Sequence, residues 1–204
     1  MQLERLGAFR RAAREIIEGT KKAIDEIDLE QVEELARMLV EAKERGRKIF
    51  VVGMGRSGFV GRAFALRLMN MSFDVYVVGE TITPAAEKGD ILIAISGSGE
   101  TKGTVSAAEV AKEIGARVVA ITSHPESTLG RMADHVVVVK GRTKVAERKD
   151  YIARQITGEM EPLGPLGTMF ENACMVFLDS LIVELMARLG ITEDEIRKRH
   201  ANIE

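Results

Sequence analysis

The segment 96–101 contains the residue types that best suit an anion-binding site, and it is called here the serine loop. An uninterrupted apolar run, Ile91–Ile95, ends there in Ser, Gly, Ser, Gly, Glu and Thr. Small side chains and permissive backbone allow amide N–H groups and hydroxyls to converge on one small negatively charged group. The residues after Thr101 have a helical pattern, and a helix N-terminus favours phosphate. The segment therefore predicts a phosphate site, although Ser, Gly and Thr are also ordinary residues of turns and helix N-caps.

A second segment, 53–58, follows an earlier apolar run and is called the glycine loop. It reads Gly-Met-Gly-Arg-Ser-Gly and so matches the G-x-G-x-x-G pattern of dinucleotide-binding folds. Those folds also need an acidic residue about 20 positions further on, and the nearest candidate, Glu80, comes late. The alternative is that Ser57, with Arg56 and the backbone at Gly55, faces the same anion as the serine loop. Two phosphate-binding loops on adjacent strands suit a single sugar phosphate.

Glu171 and His200 are the candidate acid–base residues. Glu171 stands near the start of a long apolar segment that is predicted to be helical from Pro165 onward. A glutamate there either complements the helix dipole or acts in chemistry. Asp179 interrupts the same segment and is interpreted as a polar flank or a paired structural carboxylate. His200 lies in the carboxyl-terminal tail beside basic residues, where a histidine is commonly solvated and without a role, so residue types alone leave both assignments open.

Short Val/Ile-rich runs alternate with helical segments after Gly46, and this alternation predicts the elements that position the loops. The repeated βα units form a parallel, doubly wound sheet of the flavodoxin or Rossmann type with right-handed crossovers. Ligands bind beyond the carboxyl ends of the strands in such sheets. Both loops would lie at that edge. The predicted strands are 48–52, 74–78, 91–95, 117–122 and 135–139, with helices around 57–71, 104–115 and 128–133, and no obvious full helix between Val78 and Ile91.

The chain is predicted to form one α/β domain over residues 1–204. Residues 1–46 are predicted to be a pair of amphipathic helices, of which Asp28 caps the second and Gly46 ends it. Residues 47–140 would form the βα core and 165–204 the C-terminal helix and tail. The intervening stretch is long enough to be a functional loop or lid. The helix after Pro165 is expected to pack an apolar stripe on the sheet, made of Met169, Ala173, Val176, Phe177, Ile182, Leu185 and Met186.

The composition excludes several classes of protein. The 204 residues are 46% apolar and 29% charged, as in an ordinary folded domain. A net charge of −2, with no basic face interleaved with aromatic residues, argues against nucleic-acid binding. The charged amino terminus, and the absence of about 18 consecutive apolar residues, argue against export and a membrane span. The single cysteine, Cys174, lies in an apolar run and is interpreted as a core residue, so we expect a cytoplasmic protein.

Four segments, in chain order, carry a resemblance to a known family. They are VVGMGRSGFVGRAFALRLM, VVGETITPAAEKGDILIAISGSGET, PLGTMFE and KRHANIE. Together they resemble the sugar isomerase (SIS) domain family and, within it, the 6-phospho-3-hexuloisomerases. The serine loop is specific only to the superfamily, whereas the Gly-Glu-Thr-x-Thr-Pro turn at 79–84 and the Arg-His-Ala-Asn tail narrow the match. The resemblance covers essentially the whole chain.

The resemblance implies a three-layer α/β/α domain that binds a phosphorylated sugar and interconverts hex-3-ulose 6-phosphate and fructose 6-phosphate, without metal or organic cofactor. It places Glu171 at the position of the base and His200 at that of a carboxyl-terminal histidine that reaches a neighbouring subunit's site. A homodimer or homotetramer is implied, with the leading helices used in assembly. The phosphate-binding positions fall on Ser57, Ser96, Ser98 and Thr101, and we expect Gly55, Arg56, Thr83 and Gly97 to line the same site.

The required chemistry agrees with these residue types. Moving a carbonyl from C3 to C2 requires removal of a proton beside the carbonyl, an enediol, and return of a proton to the adjacent carbon. One carboxylate can perform both transfers, and a histidine can pass protons between the oxygens. Phosphate binding at the far end of the sugar anchors the reacting carbons against the base. The alternatives are another SIS isomerase, such as one acting on arabinose 5-phosphate, a non-catalytic sugar-phosphate sensor, or a dinucleotide-binding protein.

Overall fold

The computed structural model of the chain describes residues 6–141 and 164–200, in which helices cover both faces of a parallel sheet. The strands are β1 (Ile49–Gly53), β2 (Val75–Val77), β3 (Ile91–Ile95), β4 (Arg117–Thr122) and β5 (His135–Val138). The helices are α1 (Gly7–Asp25), α2 (Leu29–Glu44), α3 (Arg56–Asn70), α4 (Lys102–Ile114), α5 (Thr128–Met132), α6 (Thr168–Leu189) and α7 (Glu193–Arg197). None of the helices in these two ranges is both long and apolar enough to cross a membrane.

The strand order is β2-β1-β3-β4-β5, and each pair of neighbours is parallel. Because β1 lies between β2 and β3, the winding of the chain changes direction at β1 and β3. The loops that leave these two strands diverge and open a crevice at the carboxyl edge of the sheet. Gly53 of β1 is level with Ile95 of β3, so the glycine loop and the serine loop begin side by side at this crevice.

Alternate residues of each strand belong to two separate apolar layers, as the pleat of a strand requires. Val51 and Ile93 pack against α2, α3 and α6, whereas Phe50 and Leu92 pack against α4 and α5. Both faces are therefore buried, which explains why the strands read as uninterrupted apolar runs. The predicted α/β/α sandwich of three layers around a five-stranded parallel sheet is confirmed.

The layers are unequal because the crossover from β2 to β3 contains no helix. Residues 78–90 cover that part of the sheet as turns and irregular chain, in agreement with the sequence prediction. On the opposite face, α1 packs on α6, and α2 packs on α6 and β5. The leading helical pair therefore flanks the C-terminal helix within the same chain.

Most predicted boundaries agree with the structure, and two expectations for α6 are wrong. Asp28 caps α2 by accepting the Glu30 N–H at 2.9 Å. The long helix begins at Thr168 and not at Pro165, because Gly167 has φ +90° and Pro165 instead accepts the Thr168 N–H in a preceding turn. Val176 faces solvent. The buried stripe of α6 instead includes Phe170, Cys174, Leu178 and Leu181, which the predicted stripe omitted.

The predicted lid at 140–164 lies largely outside the described residues, as does the tail beyond His200. The domain division at 1–46, 47–140 and 165–204 stays a prediction.

Candidate active site

The glycine loop is a tight turn that joins β1 directly to α3. A Cβ atom at Gly53 would lie 2.9 Å from the carbonyl group of Ser57, and one at Gly58 would lie 2.7 Å from the Gly53 oxygen. Gly55 precedes the helix with φ +59°, which favours glycine. The strand end and the helix start are thus in backbone contact. The turn aims the N-terminus of α3 into the crevice, with Arg56 and Ser57 as its first residues.

The serine loop is held in shape by its own hydroxyl groups. Ser96 Oγ accepts the Gly99 N–H at 3.2 Å and shares a hydrogen bond with Thr101 Oγ1 at 3.0 Å. Ser98 Oγ accepts the Glu100 N–H at 3.2 Å. Since Ser96 is buried, its hydroxyl fixes the backbone of the loop, whereas Ser98 and Thr101 lie nearer the surface of the crevice.

Glu100 ties the serine loop to α5. Its carboxylate accepts the Thr128 N–H at 2.8 Å and the Thr128 hydroxyl at 2.7 Å. These two hydrogen bonds, the backbone one first, lower the pKa of Glu100 below its usual value. Gly99, with φ +66°, lies so close to Ser127 that a Cβ there would be 1.8 Å from Ser127 Oγ, so the loop rests directly on the start of α5.

Amide N–H groups of the serine loop remain available to a ligand. Within residues 6–141 and 164–200, the N–H groups of Gly97, Ser98 and Lys102 donate no hydrogen bond, and neither does the Ser57 hydroxyl. Lys102 is the first residue of α4, whose N-terminus therefore also opens on the crevice. Free N–H groups at two helix N-termini, beside the unpaired Ser57 hydroxyl, form the arrangement that binds a phosphate group.

Phe170 positions Glu171 above the serine loop. The ring of Phe170 is 2% exposed and lies against Gly97, where a Cβ would come within 2.9 Å of it. A Cβ at Gly141 would lie 2.6 Å from the Phe170 Cα. Because Phe170 is enclosed between these two glycines, the first turn of α6 is fixed over the loop. Glu171, the next residue, is held at the crevice.

The Glu171 carboxylate is paired with Arg56. The side chain of Glu171 is 14% exposed, and a Cβ at Gly167 would lie 3.1 Å from its Oε1. Its Oε2 accepts a hydrogen bond from Arg56 Nε, the first residue of α3. The structure therefore brings Glu171, Arg56, Ser57 and the serine loop to one place. The prediction that Cys174 is a core residue is confirmed, because its side chain is fully buried. That burial and the Glu171 charge raise the pKa of its thiol well above the usual value.

The same chain does not bring His200 to this site. Arg199 donates to the Asn70 carbonyl at 3.3 Å, at the carboxyl end of α3. Arg56 stands at the amino end of that 15-residue helix, which is about 22 Å long. His200, exposed and next to Arg199, therefore lies on the order of 20 Å from Glu171 within one chain.

Thr83 lies in the segment after β2. Its Oγ1 donates to the Val77 carbonyl at 2.7 Å. With Pro84, Thr83 lines an apolar groove of about 410 Å³ against Val110 and Ile114 of α4. No hydrogen bond within the described residues joins Thr83 to the serine loop or to Glu171. Its substrate-binding role stays a prediction.

The strand order and Glu80 both argue against the dinucleotide alternative. Dinucleotide folds order their strands 3-2-1-4-5-6, whereas the order here is the flavodoxin type. Glu80 accepts two hydrogen bonds from Arg62, at 3.0 and 2.8 Å, so the one acidic candidate for a ribose already has a partner. Asp179 is paired with Arg67 at 3.8 Å across α3 and α6, in line with the interpretation of a paired structural carboxylate.

Sequence reasoning missed the contacts that assemble the site. Arg56 and Glu171 are 115 positions apart, and no local pattern signals their pairing. The enclosure of Phe170 by Gly97 and Gly141 is equally non-local; the only signal was an aromatic residue beside Glu171 at the start of an apolar helix. In the part of the chain that the structure describes, no group of three His, Cys, Asp or Glu side chains is placed to hold a metal ion.

A doubly wound α/β sandwich with the strand order β2-β1-β3-β4-β5 is of the flavodoxin class, in which ligands bind at the switch point of the sheet. Residues 41–152 match the family model of the SIS domain. The chain belongs to the SIS domain family.

Relatives and a solved structure extend this similarity over most of the chain. An uncharacterized protein of Aeropyrum pernix is 54% identical, over 89% of this chain and 86% of that protein. The 3-hexulose-6-phosphate isomerase of Bacillus subtilis is 34% identical, over 93% and 96% respectively. A crystal structure of a Methanococcus jannaschii protein, from which a 3-hexulose-6-phosphate isomerase function was inferred, has a TM-score of 0.73 and 36% identity, over 95% of this chain and 97% of that one.

Proposed function

We propose that the protein is a cytoplasmic 6-phospho-3-hexuloisomerase that interconverts D-arabino-hex-3-ulose 6-phosphate and fructose 6-phosphate through an enediol. The observation that carries the proposal is a carboxylate, Glu171, held by Phe170 over two loops whose free N–H groups suit a phosphate. The name of the Bacillus subtilis relative supports the same reaction.

The phosphate would be held where α3 and α4 begin. The N–H groups of Gly97, Ser98 and Lys102 would donate to its oxygens, together with the hydroxyls of Ser57 and Thr101. Partial positive charge at two helix N-termini stabilises the dianion. A phosphate fixed at C6 extends the sugar across the crevice, and its binding energy orients the reacting carbons.

Glu171 would perform both proton transfers. Its carboxylate takes the proton from C2 of the 3-ketose, and the electron pair of that C–H bond forms the C2=C3 double bond of the enediol. A proton passes from O2 to O3, and Glu171 then returns its proton to C3, which leaves the carbonyl at C2. Only side chains and backbone amides take part, and positioned proton transfer accelerates such steps by roughly a hundred- to ten-thousand-fold.

The exposed side of α3 and α6 supports assembly with a second copy. Phe59, 67% exposed, shares a face of α3 with Leu66 and Met69, and Val176 and Val183 lie on the adjoining surface of α6. The apolar residues of α6 are spread around the helix and are not confined to one stripe, and a helix of this composition is normally buried on more than one side. A group of exposed large apolar side chains on two adjacent helices is typical of a subunit interface.

An isologous pairing across this surface would complete the active site. In a two-fold dimer whose axis is perpendicular to α3, the two copies of α3 would run antiparallel. The carboxyl end of one α3, where Arg199 and His200 lie, would then meet the amino end of the other, where Arg56 begins. His200 of the partner subunit would so be brought toward Glu171, from which its own chain holds it apart, and would pass the proton between O2 and O3.

A coupled assay tests the proposed reaction. The protein is mixed with ribulose 5-phosphate, formaldehyde and a hexulose-phosphate synthase, and fructose 6-phosphate is measured through coupled NADPH formation. We expect protein-dependent signal, reduced in Glu171→Gln by roughly a hundred-fold or more, with sugar-phosphate binding retained. Glu184→Gln, a glutamate further along α6 that pairs with Arg188, is the matched control.

Absence of signal with working synthase and coupling enzymes would overturn the hexuloisomerase. A panel containing arabinose 5-phosphate would then identify another isomerase. Thermal stabilisation by sugar phosphates without turnover would identify a sensor, and stabilisation by NAD or NADP would favour the dinucleotide alternative.

A further inference from the structure

Arg56 and Glu171 form an ion pair between two residues that are proposed to act on opposite ends of the substrate. Arg56 stands beside the phosphate site at the start of α3, whereas Glu171 would act on the reacting carbons. We propose that Arg56 pairs with Glu171 in the free protein and leaves it to pair with the phosphate when a sugar phosphate binds. This exchange of partners is called here the latch. This inference rests on the proposed role of Glu171 as the base.

The two partners differ in freedom of movement. Phe170 is enclosed by Gly97 and Gly141, and the Glu171 carboxylate lies against Gly167, so Glu171 is fixed. The Arg56 side chain is 60% exposed. When the pair separates, the guanidinium therefore moves and the carboxylate stays in place.

A phosphate competes well for this guanidinium. A phosphate monoester carries about −1.5 to −2 charge near neutral pH, against −1 for a carboxylate, and it offers an arginine two parallel hydrogen bonds. Arg56 is the residue next to Ser57 on the same helix N-terminus. A short rotation of the exposed side chain is enough to exchange one anion for the other.

The exchange makes the base dependent on the phosphate. While Arg56 Nε donates to Glu171 Oε2, one oxygen of the base is engaged, and the other, Oε1, lies against Gly167, so a C–H bond of the sugar has little access to the base. Binding of the phosphate releases it at the moment that the sugar is in position. Unphosphorylated ketoses are then rejected through slow turnover as well as through weak binding.

The test follows the reactivity of the Glu171 carboxylate with a water-soluble carbodiimide and glycine methyl ester, read by peptide mass spectrometry. Sulfate, a tetrahedral dianion that does not react with the reagent, is the probe. We expect sulfate to raise the labelling rate of Glu171 by about threefold, which is the range that a partly exposed ion pair allows. Sodium chloride at matched ionic strength controls for screening.

Arg56→Met should label at the raised rate with or without sulfate, because nothing then occupies the carboxylate. Glu33 is the internal control: Arg188 holds it by a 2.9 Å hydrogen bond, and its labelling should not respond to sulfate. Labelling of Glu171 that falls or stays constant with sulfate, or that is unchanged in Arg56→Met, would overturn the latch.

Unlabelled portions of the same preparations are assayed for isomerase turnover. An inactive protein whose Glu171 still responds to sulfate would contradict the proposed function and leave the latch intact. An active protein whose Glu171 labelling does not respond to sulfate would support the proposed function and overturn the latch.

Discussion

Glu171 acquires its place from residues that carry no charge. Gly97 and Gly141 leave room for Phe170, and Phe170 in turn fixes the first turn of α6. A residue-by-residue reading of the sequence finds the carboxylate and the glycines, but not the contact between them. The chemistry at the crevice therefore depends on the volume of uncharged residues that adjoin Glu171.

Gly97→Ala tests this dependence. Its Cβ would lie 2.9 Å from the Phe170 ring, which cannot retreat because the backbone of Phe170 is against Gly141. We expect a loss of about 1–3 kcal/mol in the free energy of unfolding, as is usual for overpacking, measured by urea denaturation. We also expect a fall in kcat of up to about a hundred-fold, because a small displacement of a catalytic group is costly.

Gly7→Ala is the matched control, since its Cβ would meet only the end of the Arg11 side chain at 3.5 Å. Normal stability and normal turnover in Gly97→Ala would show that Phe170 does not position Glu171.

The local sequence pattern predicts the strands of the sheet well and the start of α6 poorly. Strands buried on both faces are recognised by β-branched runs, and β3 and β4 have the predicted bounds. Pro165 suited a first helical turn, but the positive φ of Gly167 delays the helix to Thr168. The sequence predicts Val176 on the sheet because the apolar residues of α6 are spread around the helix and give no clear periodicity with which to choose a face.

The tie between the serine loop and α5 predicts an effect of pH on stability. Hydrogen bonds from Thr128 lower the pKa of Glu100 in the folded chain. The stabilisation is therefore present above the unfolded-state pKa and is lost as pH falls through the lower folded-state value. We expect Glu100→Gln to be less stable than the wild type near pH 7 and to lose less of its Tm on acidification.

The comparison is made by thermal unfolding between about pH 7 and pH 3, with Glu109→Gln on the outer side of α4 as the control. Glu33, Glu34 and Asp134 also have lowered pKa values in the folded chain. The Tm of Glu100→Gln should therefore still fall on acidification, but by less than that of the wild type. Parallel Tm curves for Glu100→Gln and the wild type would contradict the expectation.

One chain contains all the proposed parts of the site but holds Glu171 and His200 apart. Glu171 and His200 lie at opposite ends of α3. Their separation could not be read from the sequence, because it is set by how α6 and α7 pack on α3. The exposed apolar residues of α3 and α6 support a dimer in which His200 of the partner subunit approaches Glu171.

Mixing two inactive variants tests whether the site is shared. Glu171→Gln and His200→Ala are refolded together and assayed, with each variant taken alone through the same procedure. If the site spans a two-fold interface, half of the dimers are mixed and each has one intact site, so about a quarter of wild-type activity returns. No recovery, with mixed dimers demonstrated by mass spectrometry of tagged chains, would place His200 outside the neighbouring site.

The residues of the proposed site occur in two successive parts of the chain. Every residue expected to hold the phosphate lies within 41–152, the range of the family model, whereas Glu171 stands beyond it on α6. In the proposed function, the residues that bind the sugar phosphate thus precede, along the chain, the helix that carries the base. A chain with the same loops but without a carboxylate at the start of this helix would then be expected to bind a sugar phosphate without isomerising it.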